Sequence, residues 1–158
     1  MKKIVLFLVL CLVLTLSACK ERTTTYEKAG MQITLNVSYF EDSVFGYTAV
    51  YRNKDAAILA LKETYKDLGV TSSYSITSYT DAVIRNNKLS VEPQYENNTA
   101  KFEYDSDVNG ETYHYYAYVT KSSDAFWLFQ FGSIKSKFEK LKPSFDEYIS
   151  TITFVEAQ

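Results

Sequence analysis

Asp105, Asp107 and Asn109 carry side-chain oxygens at alternate positions ahead of Gly110, the arrangement by which the first half of a calcium loop turns its ligands about a glycine. Such a loop closes on a bidentate glutamate, but the position that should supply it is Tyr116. The same residues make an ordinary hairpin connection, because Asn-Gly supplies two positive φ values. The turn is therefore the favoured reading, with Asp105, Asp107 and Asn109 kept as weak candidates for a calcium site of the millimolar extracellular kind. His114 is the single histidine, which removes sites built from several imidazoles and the helical His-Glu-x-x-His motif. On an aromatic strand, a lone histidine is more often packed or hydrogen-bonded than catalytic. The chain has no Gly-rich phosphate loop and no Gly-x-Ser-x-Gly elbow, and its one Ser-x-x-Lys runs from Ser17 to Lys20. No catalytic residue is assigned, no enzyme activity is expected and no cofactor is implied.

The remaining candidate is Cys19. Lys2 and Lys3 precede an apolar run over residues 4–16, followed by the small pair Ser17 and Ala18 and then the cysteine. A charged start, an apolar stretch and small residues before a cut make a secretory signal. Leu16, Ser17, Ala18 and Cys19 together resemble a bacterial lipobox, which implies a diacylglycerol on the Cys19 sulfur and cleavage before it. The apolar run is too short for a membrane-spanning helix, which needs roughly 20 apolar residues, and Lys20, Glu21 and Arg22 end it. Two or more acyl chains give stable membrane attachment where one does not. The expected organisation is a signal over 1–18, the lipidated Cys19 with a polar tether over 19–29, and one domain over 30–158. Attachment is expected on the extracytoplasmic side of the cell membrane. With two membranes, Lys20 after the cysteine points to the outer one. Cys11 would be discarded and Cys19 acylated, so the mature chain has no disulfide.

Removing residues 1–18 leaves 140 residues, enough for one domain with a sizeable core. That mature part holds 15 Lys and Arg against 19 Asp and Glu, a net charge of −4, which argues against a nucleic-acid partner. Fourteen Tyr, ten Phe and one Trp favour strands and a thick core. They could also line a ligand cleft, though at alternate strand positions such residues are more often core. Behind a bacterial lipoprotein signal, the formal glycosylation sequons at Asn36 and Asn97 read as chance.

Met31, Ile33, Leu35 and Val37 alternate with polar residues and predict a half-buried strand over 31–37. A second strand is expected over 45–52, before the turn-like Asn53, Lys54 and Asp55. Over 56–63 two periods compete. Ile58, Leu61, Tyr65 and Leu68 fit a helix capped by Asp55 and closed by Gly69, whereas Ala57, Leu59 and Leu61 fit a strand. A helix over 76–87, capped by Thr77 or Ser78, carries Tyr79, Ala82 and Val83 on one side. Aromatic strands follow over 100–104, 112–121 and 125–132, joined by the connections at 105–111 and 122–124. The last two strands are apolar on both faces and need cover on both sides. Phe138, Leu141, Phe145, Tyr148, Ile149 and Ile152 supply an amphipathic helix over 136–152, in which Pro143 either kinks the chain or starts a second segment. The expected class is α+β, an antiparallel sheet of about six strands between helices.

The aromatic strand at 113–120, the short turn at Lys121, Ser122, Ser123 and Asp124, and a strand opening Phe126, Trp127 and Leu128 resemble the PsbP-like lipoproteins of bacteria. The likeness continues through Phe129, Gln130, Phe131 and Gly132 into a helix bearing Lys142, Pro143, Ser144 and Phe145. It extends to an opening strand at 30–35 and a first helix at 79–89, covering most of 30–154 but densely only the last third. The resemblance implies an antiparallel sheet between helices and a strand over 56–63, which is the reading adopted. Members of this fold group include an accessory subunit of photosystem II and a Ran-binding nuclear import factor, neither an enzyme in that role, and no partner is carried over from them. The expected function is a lipid-anchored, non-catalytic accessory domain acting on an envelope protein partner. The alternative is a lipoprotein that binds a small ligand or ion.

Overall fold

The computed structural model describes residues 22–155, so Cys19 and the apolar run before it lie outside the described residues. Strand β2 (Met31–Asn36) shows the expected alternation, with Met31, Ile33 and Leu35 buried and their polar neighbours half-buried. Strand β1 (Thr23–Lys28) pairs with it antiparallel from Thr23 opposite Asn36 to Lys28 opposite Met31. Ala29 and Gly30 turn between them at φ of 52° and 84°, the two positive values a tight hairpin demands. This corrects the polar tether expected as far as residue 29. The threonine run is almost wholly exposed, yet β-branched residues suit a strand and the edge of β2 offers backbone partners. Strand β10 (Thr153–Phe154) occupies the other edge of β2 and completes a three-stranded sheet.

The larger sheet has seven strands: β3 (Phe40–Asp42), β4 (Ala49–Arg52), β5 (Ala56–Thr64), β6 (Gln94–Glu96), β7 (Thr99–Val108), β8 (Glu111–Lys121) and β9 (Ala125–Ile134). Their order is β3-β4-β5-β9-β8-β7-β6, and each neighbouring pair is antiparallel. The described residues thus hold ten strands in two sheets, more than the six expected. The strand expected over 45–52 begins only at Ala49, because residues 43–48 form a loop. Residues 56–63 are strand, as the resemblance implied. Leu59 stands opposite both Val50 and Gln130, so β5 is paired along both edges. Asp55 caps no helix; Asn53 Oδ1 accepts from the N–H groups of Asp55 and Ala56, each at 2.8 Å, and closes the β4–β5 turn.

Two helices cover the sheet. Helix α1 (Ile76–Asn86) is capped by Ser75, whose Oγ accepts from the Ser78 N–H at 3.0 Å, two or three residues earlier than the expected Thr77 or Ser78. Among several adjacent hydroxyls, Ser75 is the one whose own backbone is still extended, as a cap requires. Tyr79 from α1 stacks flat on Phe126, centroids 4.4 Å apart. Helix α2 (Lys135–Ser150) runs through Pro143 as a single element.

The expected two-faced strands are there, and each face has its own core. On one side of β9, Trp127, Phe129 and Phe131 pack with Phe138, Phe145 and Ile149 of α2 and with Met31, Ile33 and Leu35 of the small sheet. On the other, Phe126 and Leu128 join Ile76 and Tyr79 of α1 with Ala100, Phe102, Ala117 and Val119. Full burial of aromatic residues such as Phe129, Phe131 and Phe145 contributes about 1.5–3 kcal/mol each. No helix among the described residues is long and apolar enough to cross a membrane.

Candidate functional site

The hairpin after β7 is tighter than the 105–111 connection expected. β7 continues to Val108 and β8 begins at Glu111, so only Asn109 and Gly110 turn, at φ of 53° and 84°. Asp105 and Asp107 therefore stand on an extended strand. Asp107 Oδ1 accepts from Thr112 Oγ1 at 2.6 Å, and Asp105 divides its oxygens between His114 Nδ1 at 2.6 Å and Lys135 Nζ at 2.5 Å. No group of three or more His, Cys, Asp or Glu side chains placed to hold a metal occurs among the described residues. The sequon asparagines also serve turns. Asn36 Oδ1 accepts from the Ser38 N–H at 2.8 Å, and Asn97 and Asn98 take positive φ values between β6 and β7.

Asp105 belongs to a run of paired charges between the sheet and α2. His114 Nε2 faces Glu103 Oε2 at 3.2 Å, and the ring stands edge-on to Phe138 with centroids 4.1 Å apart. Glu103 accepts from Lys142 at 2.9 Å, Lys142 lies over the Tyr116 ring at 3.5 Å, and the Tyr116 hydroxyl donates to Asp146 at 2.9 Å. Burial pushes the Glu103 carboxyl up, but its hydrogen bonds from Lys142 and His114 outweigh that and hold it below the ordinary range. The Lys135 hydrogen bond, then that of His114, lowers Asp105 likewise. Burial and the Asp146 acceptor raise the Tyr116 phenol. Every group here has a partner, so this seam fastens the helix to the sheet.

The opposite face differs. α1 covers the part of the sheet around Phe126 and Leu128 but leaves Leu59, Gln130, Tyr104, Tyr113 and Tyr115 half-exposed around the buried Gly132. A cleft of about 280 Å³ opens there, bounded on the helix side by Val83, Asn87 and Leu89. Tyr115 packs against Gly132: a Cβ at that glycine would come within 2.6 Å of the ring. Tyr104 stacks beside it at 5.2 Å and 14°. Gln130 sits between two phenols, donating to Tyr104 Oη at 2.6 Å and accepting from Tyr47 Oη at 2.9 Å. Burial raises Tyr47, Tyr104 and Tyr115, and for the last two their neighbouring phenols add to it, so the hydroxyls stay protonated. Sequence reasoning had the tyrosines but not the platform. The available signal was Gly132 inside an aromatic strand, since a strand glycine often marks a close approach.

A third feature is the loop at 43–48. Phe45 is fully exposed, and Phe40 and Val44 are exposed beside it. Thr48 Oγ1 accepts from the Lys62 N–H, and Lys62 Nζ reaches the Ala29 carbonyl. The loop is thus tied to the end of the β1–β2 hairpin where the chain turns. Arg22 lies at the other end, its carbonyl accepting from the Val37 N–H at 2.9 Å.

No family model and no curated protein sequence matches the chain. Solved structures do. The solution structure of cyanobacterial PsbP, CyanoP, from Synechocystis superposes with a TM-score of 0.54 at 13% identity, over 84% of this chain and 92% of that one. A crystal structure from Bacteroides thetaiotaomicron gives 0.55 at 14% identity, over 86% of this chain but 49% of its own length. A protein of unknown function from Pseudomonas aeruginosa gives 0.52 at 8% identity, over 87% and 99%. At these identities the likeness is one of fold: an α+β, PsbP-like arrangement.

Proposed function

We propose that this chain is a lipid-anchored, extracytoplasmic, non-catalytic accessory domain that docks an envelope protein through the 43–48 loop. Phe45 carries the reading. A fully exposed aromatic with exposed apolar neighbours has the make-up of an interface anchor. The PsbP-like fold and the paired state of the charged seam support a binding role over a reaction. Only Lys20, Glu21 and Arg22 separate Cys19 from β1. A lipid on Cys19 would thus hold the Arg22 end within roughly 15 Å of the bilayer and leave Phe45 at the end facing away.

A photo-crosslinking amino acid in place of Phe45, in the full chain in living cells, is expected to capture one reproducible protein. The same group at exposed Lys88 should not. Phe45→Ala should weaken that association by about tenfold or more. No reproducible adduct at position 45 would overturn the docking role. Cys19→Ser should release the chain from the membrane fraction; retention would make the apolar segment an anchor in its own right.

A further inference from the structure

Phe102, Tyr104, Tyr115 and Tyr113 form a file of rings across β7 and β8, with centroid steps of 6.1, 5.2 and 6.4 Å and interplanar angles of 29°, 14° and 31°. From this file and its hydroxyls we infer a binding platform for a neutral glycan chain. A pyranose ring has a face of C–H groups that rests on an aromatic face and a rim of hydroxyls that both donate and accept. The platform matches both. Tyr104, Tyr115 and Tyr113 are half-exposed, with Tyr104 and Tyr115 near parallel and Tyr115 backed by Gly132, while Phe102 ties the file to the buried core. Their spacing is comparable to the length of one hexose unit, so successive rings can meet successive sugars.

The hydrogen-bonding groups fit the same ligand. Tyr104 Oη accepts from Gln130, which leaves its own proton without an acceptor among the described residues, and the Tyr115 hydroxyl has no hydrogen-bond partner there. Tyr47 Oη donates to Gln130 and keeps lone pairs free. The cleft thus offers donors and acceptors side by side, as a polyol needs. It offers no spare charge. Asp105 at its rim is held by His114 and Lys135, and Arg52, on the same face at the sheet edge, is paired with Asp42. A charged ligand would enter this neutral cleft without a counter-ion, at a desolvation cost, and a nucleic acid would find no cation for its phosphates.

This site goes beyond the docking role and needs neither the anchor nor Phe45. Purified full-length protein should be titrated with the tetramers of N-acetylglucosamine and of glucose, and with a proline-rich peptide, following tyrosine fluorescence and heat. Saturable binding of at least one glycan is expected. Tyr115→Ala should weaken it by about tenfold, the worth of one aromatic contact. Tyr104→Phe, which keeps the ring and the fold, should weaken it by a few-fold, and Phe45→Ala should leave it unchanged. Absence of glycan binding at millimolar concentration, affinity unaltered by both tyrosine changes, or binding of the peptide in place of the glycans would each overturn the assignment.

Discussion

Strand β8 shows two opposite surfaces from one run of residues. His114 and Tyr116 face α2, where Glu103, Asp105, Lys135, Lys142 and Asp146 answer every polar group. Tyr113 and Tyr115, on either side of His114, point to the other face, where Tyr115 lines the cleft that α1 borders but leaves open. The charged side is closed and the neutral side is open. Charge is therefore a poor guide to the site in this chain. Carboxylates, lysines and the histidine serve cohesion, while the surface left available for a ligand is made of phenols and one amide.

The contrast can be broken most severely from the closed side. Phe131→Ala empties a fully buried position beneath α2 and should cost about 3–5 kcal/mol. Tyr113→Ala on the open face should change stability by less than about 1 kcal/mol; chemical denaturation of both variants makes the comparison. A result of similar size at the two positions would mean the platform is core after all. Gly132→Ala sharpens the contrast from the other direction. Its Cβ would displace the Tyr115 ring, costing about 1 kcal/mol and altering the near-ultraviolet circular dichroism of the stacked tyrosines.

The smallest effect is that of acid on the seam. Glu103 and Asp105 ionise below their usual ranges in the folded chain, so their contribution is present above the unfolded values, about 4.3 and 3.9. It is lost as the pH falls through the lower folded values. Both carboxyls are more than a third exposed, so solvent screening keeps the loss to about 1 kcal/mol or less. Melting temperatures measured from pH 6 to pH 3 should fall more steeply for the native chain than for the Glu103→Gln, Asp105→Asn double variant, whose seam has less left to lose. Parallel curves would remove these two carboxylates from the account.

Where a strand buries one face or both, its pattern shows in the sequence: β2 by alternation, β8 and β9 by apolar and aromatic residues on both faces. Strand β1 has no such signal, because a ribbon that packs only Tyr26 and exposes the rest carries no periodic mark of burial. It exists through its register with β2, which lies outside any local window. The 56–63 segment carried a real helical period, and pairing on both edges overrode it. β7 was read too short because Asp105, Ser106 and Asp107 look like loop residues, whereas pairing with β8 extends the strand to the Asn-Gly turn. The tyrosine cleft was hidden for a related reason. Which tyrosines are core and which are platform depends on where α1 stops, and the partnership of Tyr115 with Gly132 is one of register.

The β1–β2 hairpin also has a mechanical consequence. Were a lipid fixed to Cys19, any pull on the domain would enter at Arg22, beside the end of β2 from which the rest of the chain departs. Load applied there opens an antiparallel pair like a zipper, one rung at a time. Resistance would come mainly from Tyr26, whose ring meets Tyr51 at 4.7 Å and whose hydroxyl donates to the Tyr39 carbonyl. Peeling six residues would lengthen the leash by roughly 20 Å and leave the seven-stranded sheet folded. Single-molecule extension from residue 19 should record that yield as a separate, low-force step before the domain gives way, and a single rupture would show the strand to be a rigid part of the body.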